Sequence, residues 1–250
     1  MLPDAETSFI SWLSWMMILG GVLTMVALML GMRAVYGRYA AKSALVIPAR
    51  LAWAVQEFPS FAIPAYYACE CQSIAGAIIL ALFIIHYFNR TFIYPLHLNS
   101  ANATPWYICL SAAAFCSVNG YMQGSFFGKY YHPTSFFGHP LTYVGIAMFA
   151  AGMYINMQSD HILRNLRKPG ETCYRIPRGG MFEYVSGANY LGEIIEWTGY
   201  AVASRTLPAV AFAIFTASNI GPRAVQHHQW YLNKFPDYPK ERKALIPFLL

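Results

Sequence analysis

The chain has 250 residues, of which 57% are hydrophobic and only 11% are charged. Soluble domains carry about 25% charged residues, so this composition excludes an ordinary soluble domain and favours a membrane-embedded one. The formal net charge of +6 does not indicate nucleic-acid binding, because no run rich in lysine and arginine carries interleaved aromatic residues. The five cysteines form no C-x-x-C pair and no spacing with histidine that suits zinc, so we predict buried thiols and no metal site.

Seven apolar segments approach the length of roughly 20 residues that an α-helix needs to span a bilayer. The second and sixth contain polar residues and are weak by hydropathy alone, and the last three are short. In chain order the predicted spans are Phe9–Met32, Val46–Tyr67, Ile74–Tyr94, Trp106–Phe126, Leu141–Met157, Asn189–Ser204 and Leu207–Gly221. A long loop is predicted between the fifth and sixth spans, from about Gln158 to Ala188.

The basic residues orient these segments, because cytoplasmic loops carry an excess of lysine and arginine. None precedes the first span, and the later connections on that side hold only Lys129 and Arg205. The opposite side carries nearly all the others, which are Arg33, Arg38, Lys42, Arg50, Arg164, Arg167, Lys168, Arg175, Arg178, Arg223, Lys234, Lys240, Arg242 and Lys243. This alternation predicts an all-α integral membrane protein, a seven-transmembrane helical bundle with its N-terminus outside and its C-terminus cytoplasmic.

Glu57 lies inside the second predicted span, in the run from Leu51 to Pro64. Removing an ionised carboxylate from water costs several kcal/mol, so an acid at this depth stays protonated or finds a partner. We therefore predict that Glu57 belongs to a functional site. The structural alternative is a helix–helix hydrogen bond that only holds the bundle together.

Polar side chains recur at i, i+3 and i+4 spacing near the predicted cytoplasmic boundary, which places them on one face of their helices. Each row alone is also compatible with a solvated face. Four rows on the same side, in which acids alternate with arginines, favour a pocket for a large polar anionic ligand. No glycine-rich nucleotide motif is present, so a nucleotide has to be held by side chains. The rows are Asn156, Asp160 and Arg164; Asn189, Glu193, Glu196 and Tyr200; Arg223, His227 and Tyr231; and His86, Tyr87 and Arg90.

Long runs of the sequence resemble the steroid 5-alpha-reductases, closely enough to indicate a member of that family. The resemblance covers nearly everything from about Val46 onward, whereas in the first part of the chain only Val35–Arg38 is similar. Runs of this length are far more specific than any short motif. They are Val46–Trp53, Gln56–Ala62, His86–Tyr94, Asn156–Gly170, Tyr174–Gly180, Phe182–Trp197 and Tyr238–Phe248.

The resemblance implies a seven-span reductase that uses NADPH to reduce the 4,5 double bond of a 3-oxo-delta-4 steroid. It also implies that Glu57 and Tyr87 are the catalytic residues that hold the steroid 3-oxo group. Further substrate contacts are expected from Trp53, Gln56, Arg90 and Phe215. Cofactor contacts are expected from Tyr36, Arg38, Asn156, Asp160, Arg164, Arg167, Tyr174, Arg175, Asn189, Glu193, Glu196, Arg223, His227 and Tyr231.

The chemistry of such a reduction fits these residue types. Hydride adds to the beta carbon of the enone, and negative charge builds up on the carbonyl oxygen. A donor aimed at that oxygen, such as a tyrosine hydroxyl or a glutamic acid kept protonated by apolar surroundings, stabilises this charge by a few kcal/mol. The proton for the alpha carbon comes from solvent or from a side chain that the sequence does not identify.

We expect one membrane-embedded reductase domain over residues 1–250, with a variable first span and loop over about 1–45 and a cofactor-binding half over about 140–250. One alternative is a reductase of the same scaffold that acts on a polyprenol or an enoyl lipid. A less favoured alternative is an S-adenosylmethionine-dependent membrane methyltransferase, which the C-terminal helices distantly resemble. A lipid-binding or transport bundle without enzyme activity is a further alternative.

The expected partners are a steroid or steroid-like lipid substrate, NADPH and membrane lipid, with no nucleic acid. We expect a monomer. Its expected location is a multi-pass one, in the bacterial inner membrane or the endoplasmic reticulum according to the source.

Overall fold

A computed structural model describes residues 4–32, 45–98, 103–166 and 173–250. Three of the predicted cofactor residues, Tyr36, Arg38 and Arg167, lie outside the described residues. All other predicted site residues fall within them.

Each of the seven predicted apolar segments coincides with a helix. The long helices are α1 (Ala5–Met29), α2 (Ala49–Glu70), α3 (Ile74–Phe88), α5 (Trp106–Ser125), α6 (Pro140–Asn165), α7 (Ala188–Ser204) and α8 (Leu207–Lys234). A π-helical turn, Asn89–Ile93, and the short helix α4, Tyr94–Leu96, prolong α3, and a second π-helical turn, Phe126–Tyr130, prolongs α5. The short strands β1 (Val46–Ile47) and β2 (Thr104–Pro105) pair antiparallel.

Within the part of the chain that the structure describes, three helical segments are long and apolar enough to cross a membrane, namely Ala5–Met29, Ile74–Leu96 and Pro140–Asn165. This helical architecture fits an all-α membrane protein. Of the other four long helices, α2 and α7 are the two whose predicted spans were weak by hydropathy because they contain polar residues, and α7 has only 17 residues.

Two helices extend beyond the predicted membrane spans. Helix α6 continues to Asn165. Helix α8 continues through Pro222 to Lys234, in agreement with the helical pattern that the sequence resumes after Gly221 and breaks at Pro236. The predicted spans stopped at Met157 and Gly221 because hydropathy falls where the polar rows begin, although the helical backbone continues. The predicted loop between the fifth and sixth spans is therefore wrong in its first part, which is helical.

Helices α6 and α7 pack backbone to backbone over glycines. A Cβ atom on Gly152 would lie 2.3 Å from the backbone nitrogen of Glu196, and one on Gly192 would lie 2.5 Å from that of Asn156. Two helical turns away, a Cβ on Gly145 or on Gly199 would lie equally close to backbone atoms of the other helix. Small residues are what allows membrane helices to approach this closely. The contact fixes the rotation of both helices and so the direction of their polar rows.

An aromatic core lies between α3, α7 and α8. Phe83, Trp197 and Tyr200 are almost fully buried there, and Phe212 packs on Trp197 with ring centroids 4.5 Å apart. A second, smaller cluster around Phe182 and Leu245 joins the loop before α7 to the C-terminal tail. These two clusters hold α7 between the other helices of the site.

The C-terminal tail folds back along the segment that precedes α7. The backbone nitrogens of Ser186 and Gly187 donate to the carbonyl oxygens of Lys243 and Ala244, at 2.8 and 2.9 Å. Arg242 is buried beneath this contact. The tail is therefore part of the folded domain.

The prediction that the cysteines are buried is correct for Cys109 and Cys116 only. Cys69 and Cys173 are exposed and Cys71 is partly buried, and all five thiols are free. The exposed pair lies at the end of α2 and in the loop before α7, where composition gives no guide to burial.

Candidate active site

One cavity of about 690 Å³ lies between α2, α3, α5, α6, α7 and α8. This volume is within the usual range for ligand pockets, about 300–1,000 Å³. Its wall brings together most of the predicted site residues, which are Trp53, Gln56, Glu57, Tyr87, Arg90, Asn156, Asp160, Tyr174, Asn189, Glu193, Phe215, Arg223 and His227. The predicted substrate residues and the predicted cofactor residues thus face a common space.

Glu57 of α2 and Tyr87 of α3 line one part of this cavity. The Glu57 carboxyl group accepts a hydrogen bond from Gln56 Nε2 at 3.5 Å, and Cys116 Sγ is 3.8 Å from its other oxygen. Helix α5 comes this close to α2 because Gly120 has no side chain: a Cβ there would lie 2.9 Å from the Pro59 carbonyl oxygen. The carboxyl group is therefore oriented by neighbours on two helices.

Arg90 links the two sets of predicted residues. Its Nη1 donates to Asp160 Oδ2 at 3.0 Å, and both side chains are mostly buried. Its guanidinium carbon also lies 4.7 Å from the Trp53 ring and 4.4 Å from the Tyr94 ring. Arg90 belongs to the π-helical turn Asn89–Ile93, a local geometry that is frequent at functional sites. An ion pair between aromatic rings thus joins α3 to α6 at the cavity wall.

His86 and Glu196 form a second buried pair. Their Nδ1 and Oε1 atoms are 2.7 Å apart, and the residues are only 4% and 0% exposed. His86 lines the cavity, whereas Glu196 lies behind it. The imidazole ring packs against Trp197 and Tyr87, with centroid distances of 4.6 and 5.1 Å. The sequence places His86 in a polar row but indicates no catalytic or binding role for it.

The remaining wall is rich in polar groups from α6, α7 and α8. Asn156 Nδ2 donates to the backbone oxygen of Asn189 at 3.0 Å, which fixes both residues beside the cavity. The Arg223 guanidinium carbon lies 5.4 Å from the Tyr190 ring, and the His227 ring lies 5.7 Å from it. Amides, a guanidinium group and an imidazole therefore face one part of the cavity.

Known proteins of one family are similar to this chain. A family model described as 3-oxo-5-alpha-steroid 4-dehydrogenase matches residues 102–250. The type 1 protein of that name from Mus musculus is 49% identical over 86% of this chain and 87% of its own length. The type 1 protein from Rattus norvegicus is 45% identical over the full length of both chains, and the type 2 protein from Homo sapiens is 51% identical over 81% and 82%.

The chain belongs to the 3-oxo-5-alpha-steroid 4-dehydrogenase family. Members are oxidoreductases that act on CH–CH groups, and this chain is one of these enzymes. The resemblance seen in the sequence runs is therefore confirmed.

Four predicted cofactor residues of this family member lie away from the cavity wall. Tyr231 is buried and stacks on Tyr238, Arg175 is exposed, and the Arg164 guanidinium carbon lies 5.6 Å from the Tyr94 ring, while Glu196 contacts His86 instead. Each step of four residues rotates a side chain by about 40° around the helix. A row that begins at the cavity, as at Asn156 or Arg223, has therefore turned away two steps later.

The cavity also includes residues that sequence analysis missed. Asn219 and Gln226 flank Arg223 on α8 at helical spacing, so extending the third polar row by one turn in each direction would have found them. Gln226 Nε2 also donates to the Leu28 carbonyl oxygen at 3.0 Å, which ties the end of α1 to α8. Cys116 had no sequence signal.

The loop before α7 is held by Glu183. Its Oε1 accepts from the Gly179 backbone nitrogen at 2.5 Å, and its Oε2 lies 3.5 Å from Arg242 Nη2. The Gly179 hydrogen bond, followed by the charges of Arg242 and Arg178, lowers the pKa of the Glu183 carboxyl group. Arg242 also donates to the Pro177 carbonyl oxygen at 2.9 Å. These contacts order the segment that carries Tyr174 to the cavity.

Proposed function

We propose that this chain catalyses the NADPH-dependent reduction of the 4,5 double bond of a 3-oxo-delta-4 steroid. The observation that carries the proposal is the single cavity in which Glu57 and Tyr87 face the polar residues of α6, α7 and α8. The related proteins are named as dehydrogenases of 3-oxo-5-alpha-steroids, which is the same chemistry. A donor pair for a carbonyl oxygen and a polar wall for a dinucleotide are what this reaction requires.

The donor set of the polar wall fits NADPH. Arg223 and His227 suit phosphate oxygens, because guanidinium and imidazolium groups form charge-assisted hydrogen bonds with them. Asn156, Asn189 and Glu193 suit ribose hydroxyl and carboxamide groups. When bound, NADPH supplies the hydride for the beta carbon of the enone.

Glu57 and Tyr87 then act on the carbonyl oxygen. The Tyr87 hydroxyl and a protonated Glu57 donate to this oxygen and stabilise the negative charge that develops on it. Gln56 and Cys116 hold the Glu57 carboxyl group in place, so it does not have to reorient during the reaction. Trp53 and Phe215 provide apolar surface for the steroid rings.

We further propose that all seven long helices span the membrane, with the N-terminus outside and the C-terminus in the cytoplasm. The alternation of basic residues along the chain supports this arrangement. It puts the polar wall at the cytoplasmic boundary, where NADPH is available, and the substrate and membrane lipid in the apolar layer. The chain would act as a monomer, because one chain contributes the entire cavity wall described here.

Label transfer tests the proposed reaction. The purified protein in detergent is incubated with NADPH labelled in the transferable hydrogen and with a panel of enones: a 3-oxo-delta-4 steroid, a polyprenol-derived enone and a fatty enoyl thioester. We expect label in the reduced steroid and little in the other products. Preferential labelling of either lipid product would replace the steroid assignment with one of the alternative reductases.

Glu57→Gln tests the role of the acid within that reaction. We expect turnover of the steroid to fall by about 100-fold, since removing one donor to a developing oxyanion commonly has an effect of this size. NADPH binding should persist because Glu57 lies in the part of the cavity assigned to the carbonyl. Glu6→Gln is the matched control: Glu6 is bound to Ser125 and Lys129 and does not line the cavity, so its turnover should equal that of the wild type.

A further inference from the structure

The His86–Glu196 pair connects the cavity to a buried carboxyl group. One imidazole nitrogen, Nδ1, faces Glu196 Oε1 at 2.7 Å, and Glu196 is fully buried behind the wall. His86 itself lines the cavity and its Nδ1 is engaged by Glu196, which leaves Nε2 as the ring nitrogen available to a ligand in the cavity. The ring is held in this orientation by Trp197 and Tyr87, at centroid distances of 4.6 and 5.1 Å.

The proton content of this pair follows from its burial. Glu196 Oε2 is buried and has no hydrogen-bond partner among the described residues. A net negative charge left there would be strongly disfavoured, so the pair is most stable as a neutral unit. A neutral unit holds two protons, either as glutamic acid with neutral imidazole or as carboxylate with imidazolium. Because one of these protons lies in the contact between Oε1 and Nδ1, both arrangements leave the other proton on Nε2 of His86.

We infer that His86 is the acid that delivers the proton to the alpha carbon of the substrate, with Glu196 as its positioning residue. This inference rests on the proposed function. Glu57 and Tyr87 are occupied by the carbonyl oxygen, so the adjacent alpha carbon needs a separate donor. His86 precedes Tyr87 in the chain, its ring centroid lies 5.1 Å from that of Tyr87, and both residues line the same cavity as Glu57.

The step balances within the protein and solvent. The Nε2–H bond of His86 breaks and the carbon–hydrogen bond at C4 forms, with electrons from the enolate whose oxygen Glu57 and Tyr87 hold. The proton shared between Glu196 and Nδ1 settles on Nδ1, so the imidazole is neutral and the negative charge of the enolate passes to the Glu196 carboxylate. The pair, now one proton short, regains it from water after the product leaves. No oxidant or reductant takes part in this step.

Hydrogen exchange at C4 tests the inference without any cofactor. By microscopic reversibility, the proton-short form of the pair, whose remaining proton lies on Nδ1, removes a C4 proton from a saturated 3-oxo-5-alpha-steroid. The steroid is incubated with the full-length protein in D₂O, and deuterium at C4 is measured by mass spectrometry against an enzyme-free sample. We expect the wild type to accelerate this exchange. His86→Asn should slow it by about 100-fold, the usual contribution of a general acid or base.

His86→Asn is chosen because its amide nitrogen occupies the position of Nδ1. It keeps the bond to Glu196 and removes Nε2, the ring nitrogen available to a ligand in the cavity. NADPH binding is measured by the quenching of tryptophan fluorescence, and it reports whether the variant is folded. Exchange at the wild-type rate in folded His86→Asn would overturn the inference.

Glu196→Gln provides a second, independent test if His86→Asn does not fold. The amide keeps a hydrogen bond to Nδ1 but has no proton to share, so we expect C4 exchange to fall while NADPH affinity is unchanged. Unchanged exchange in Glu196→Gln would overturn the positioning role. A wild-type protein that exchanges C4 but transfers no hydride from NADPH would contradict the proposed function and not the role of His86.

Discussion

Helix α1 and the α6–α7 pair illustrate two ways in which helices pack in this domain. Helix α1 presents large apolar side chains to the outside: Trp12, Trp15 and Leu23 are each more than half exposed. Helices α6 and α7 meet through glycines, and the polar residues Asn156 of α6 and Glu196 of α7 are buried. The sequence of α1 is set by the need to be apolar, whereas that of the pair is set by close backbone contact and by the site.

The two regions also differ in how they are joined to the rest of the domain. Helix α1 is attached mainly along α8, where a Cβ on Gly21 would lie 3.0 Å from the Phe215 Cα. Polar contacts hold its ends, from Lys129 to Glu6 and from Gln226 to Leu28. The α6–α7 pair instead is held by close backbone contacts, and it carries the polar rows that begin at Asn156 and Asn189. The positions of these polar side chains in the cavity wall therefore depend on the pair.

The largest effect is expected from adding one methyl group at the α6–α7 contact. Gly152→Ala places a Cβ 2.3 Å from the backbone nitrogen of Glu196, and backbone atoms on two packed helices cannot move aside without separating them. We expect a loss of about 3 kcal/mol or more in stability, at or above the upper end for overpacking. NADPH binding should be lost with it. Thermal unfolding in detergent and fluorescence titration measure the two effects.

Gly20→Ala in α1 is the matched control. No atom lies within 4 Å of the position that its Cβ would occupy. Alanine is favoured over glycine inside a helix by about 0.5–1 kcal/mol, so this variant should be as stable as the wild type or more so. Equal stability of Gly152→Ala and Gly20→Ala would show that the close backbone contact at Gly152 does not constrain the α6–α7 pair.

An intermediate effect is expected from removing a charge on the cavity wall. Arg223→Ala should weaken NADPH binding about tenfold or more, because hydrogen bonds to charged groups contribute about 1.5–3 kcal/mol. Arg164→Ala should have a smaller effect, since Arg164 does not line the cavity. Lys234→Ala removes the same charge from an exposed position on α8 and should leave binding unchanged. Equal losses in Arg223→Ala and Lys234→Ala would indicate a general electrostatic effect.

The smallest effect concerns the loop that supports Tyr174. The Gly179 hydrogen bond and the nearby arginines lower the pKa of Glu183 in the folded protein. The charged carboxylate therefore stabilises the folded loop at pH values above about 4.3, the pKa of glutamate in an unfolded chain. This contribution disappears as the pH falls through the lower folded value. Its side chain is 45% exposed, so solvent screens much of the effect.

We therefore expect the thermal stability of the wild type to decline slightly more steeply below about pH 4.3 than that of Glu183→Gln. Glu241→Gln removes an exposed carboxylate from the C-terminal tail that packs against this loop, and it should retain the wild-type pH dependence. Parallel pH profiles for wild type and Glu183→Gln would show that the contacts of Glu183 do not stabilise the loop.

Hydropathy located the helices better than it located their ends. The seven segments were found because about 20 apolar residues is a requirement that the sequence itself displays. The predicted spans of α6 and α8 stop before the helices end because the last turns leave the apolar pattern while remaining helical. Helical spacing found the polar rows, but it did not tell that Tyr231 turns away from the cavity or that Glu196 lies behind it.

Composition, apolar segment length and the long family-specific runs by themselves indicated a helical membrane protein of this oxidoreductase family, and they predicted Glu57 and Tyr87 as its leading site residues. Only the tertiary structure decided which side chains meet. His86 and Glu196 are 110 residues apart in sequence, and Arg90 and Asp160 are 70 apart. Such contacts depend on how each helix is rotated against its neighbours. Here that rotation is fixed by glycine-mediated backbone contacts between helices, which no local pattern along one helix records.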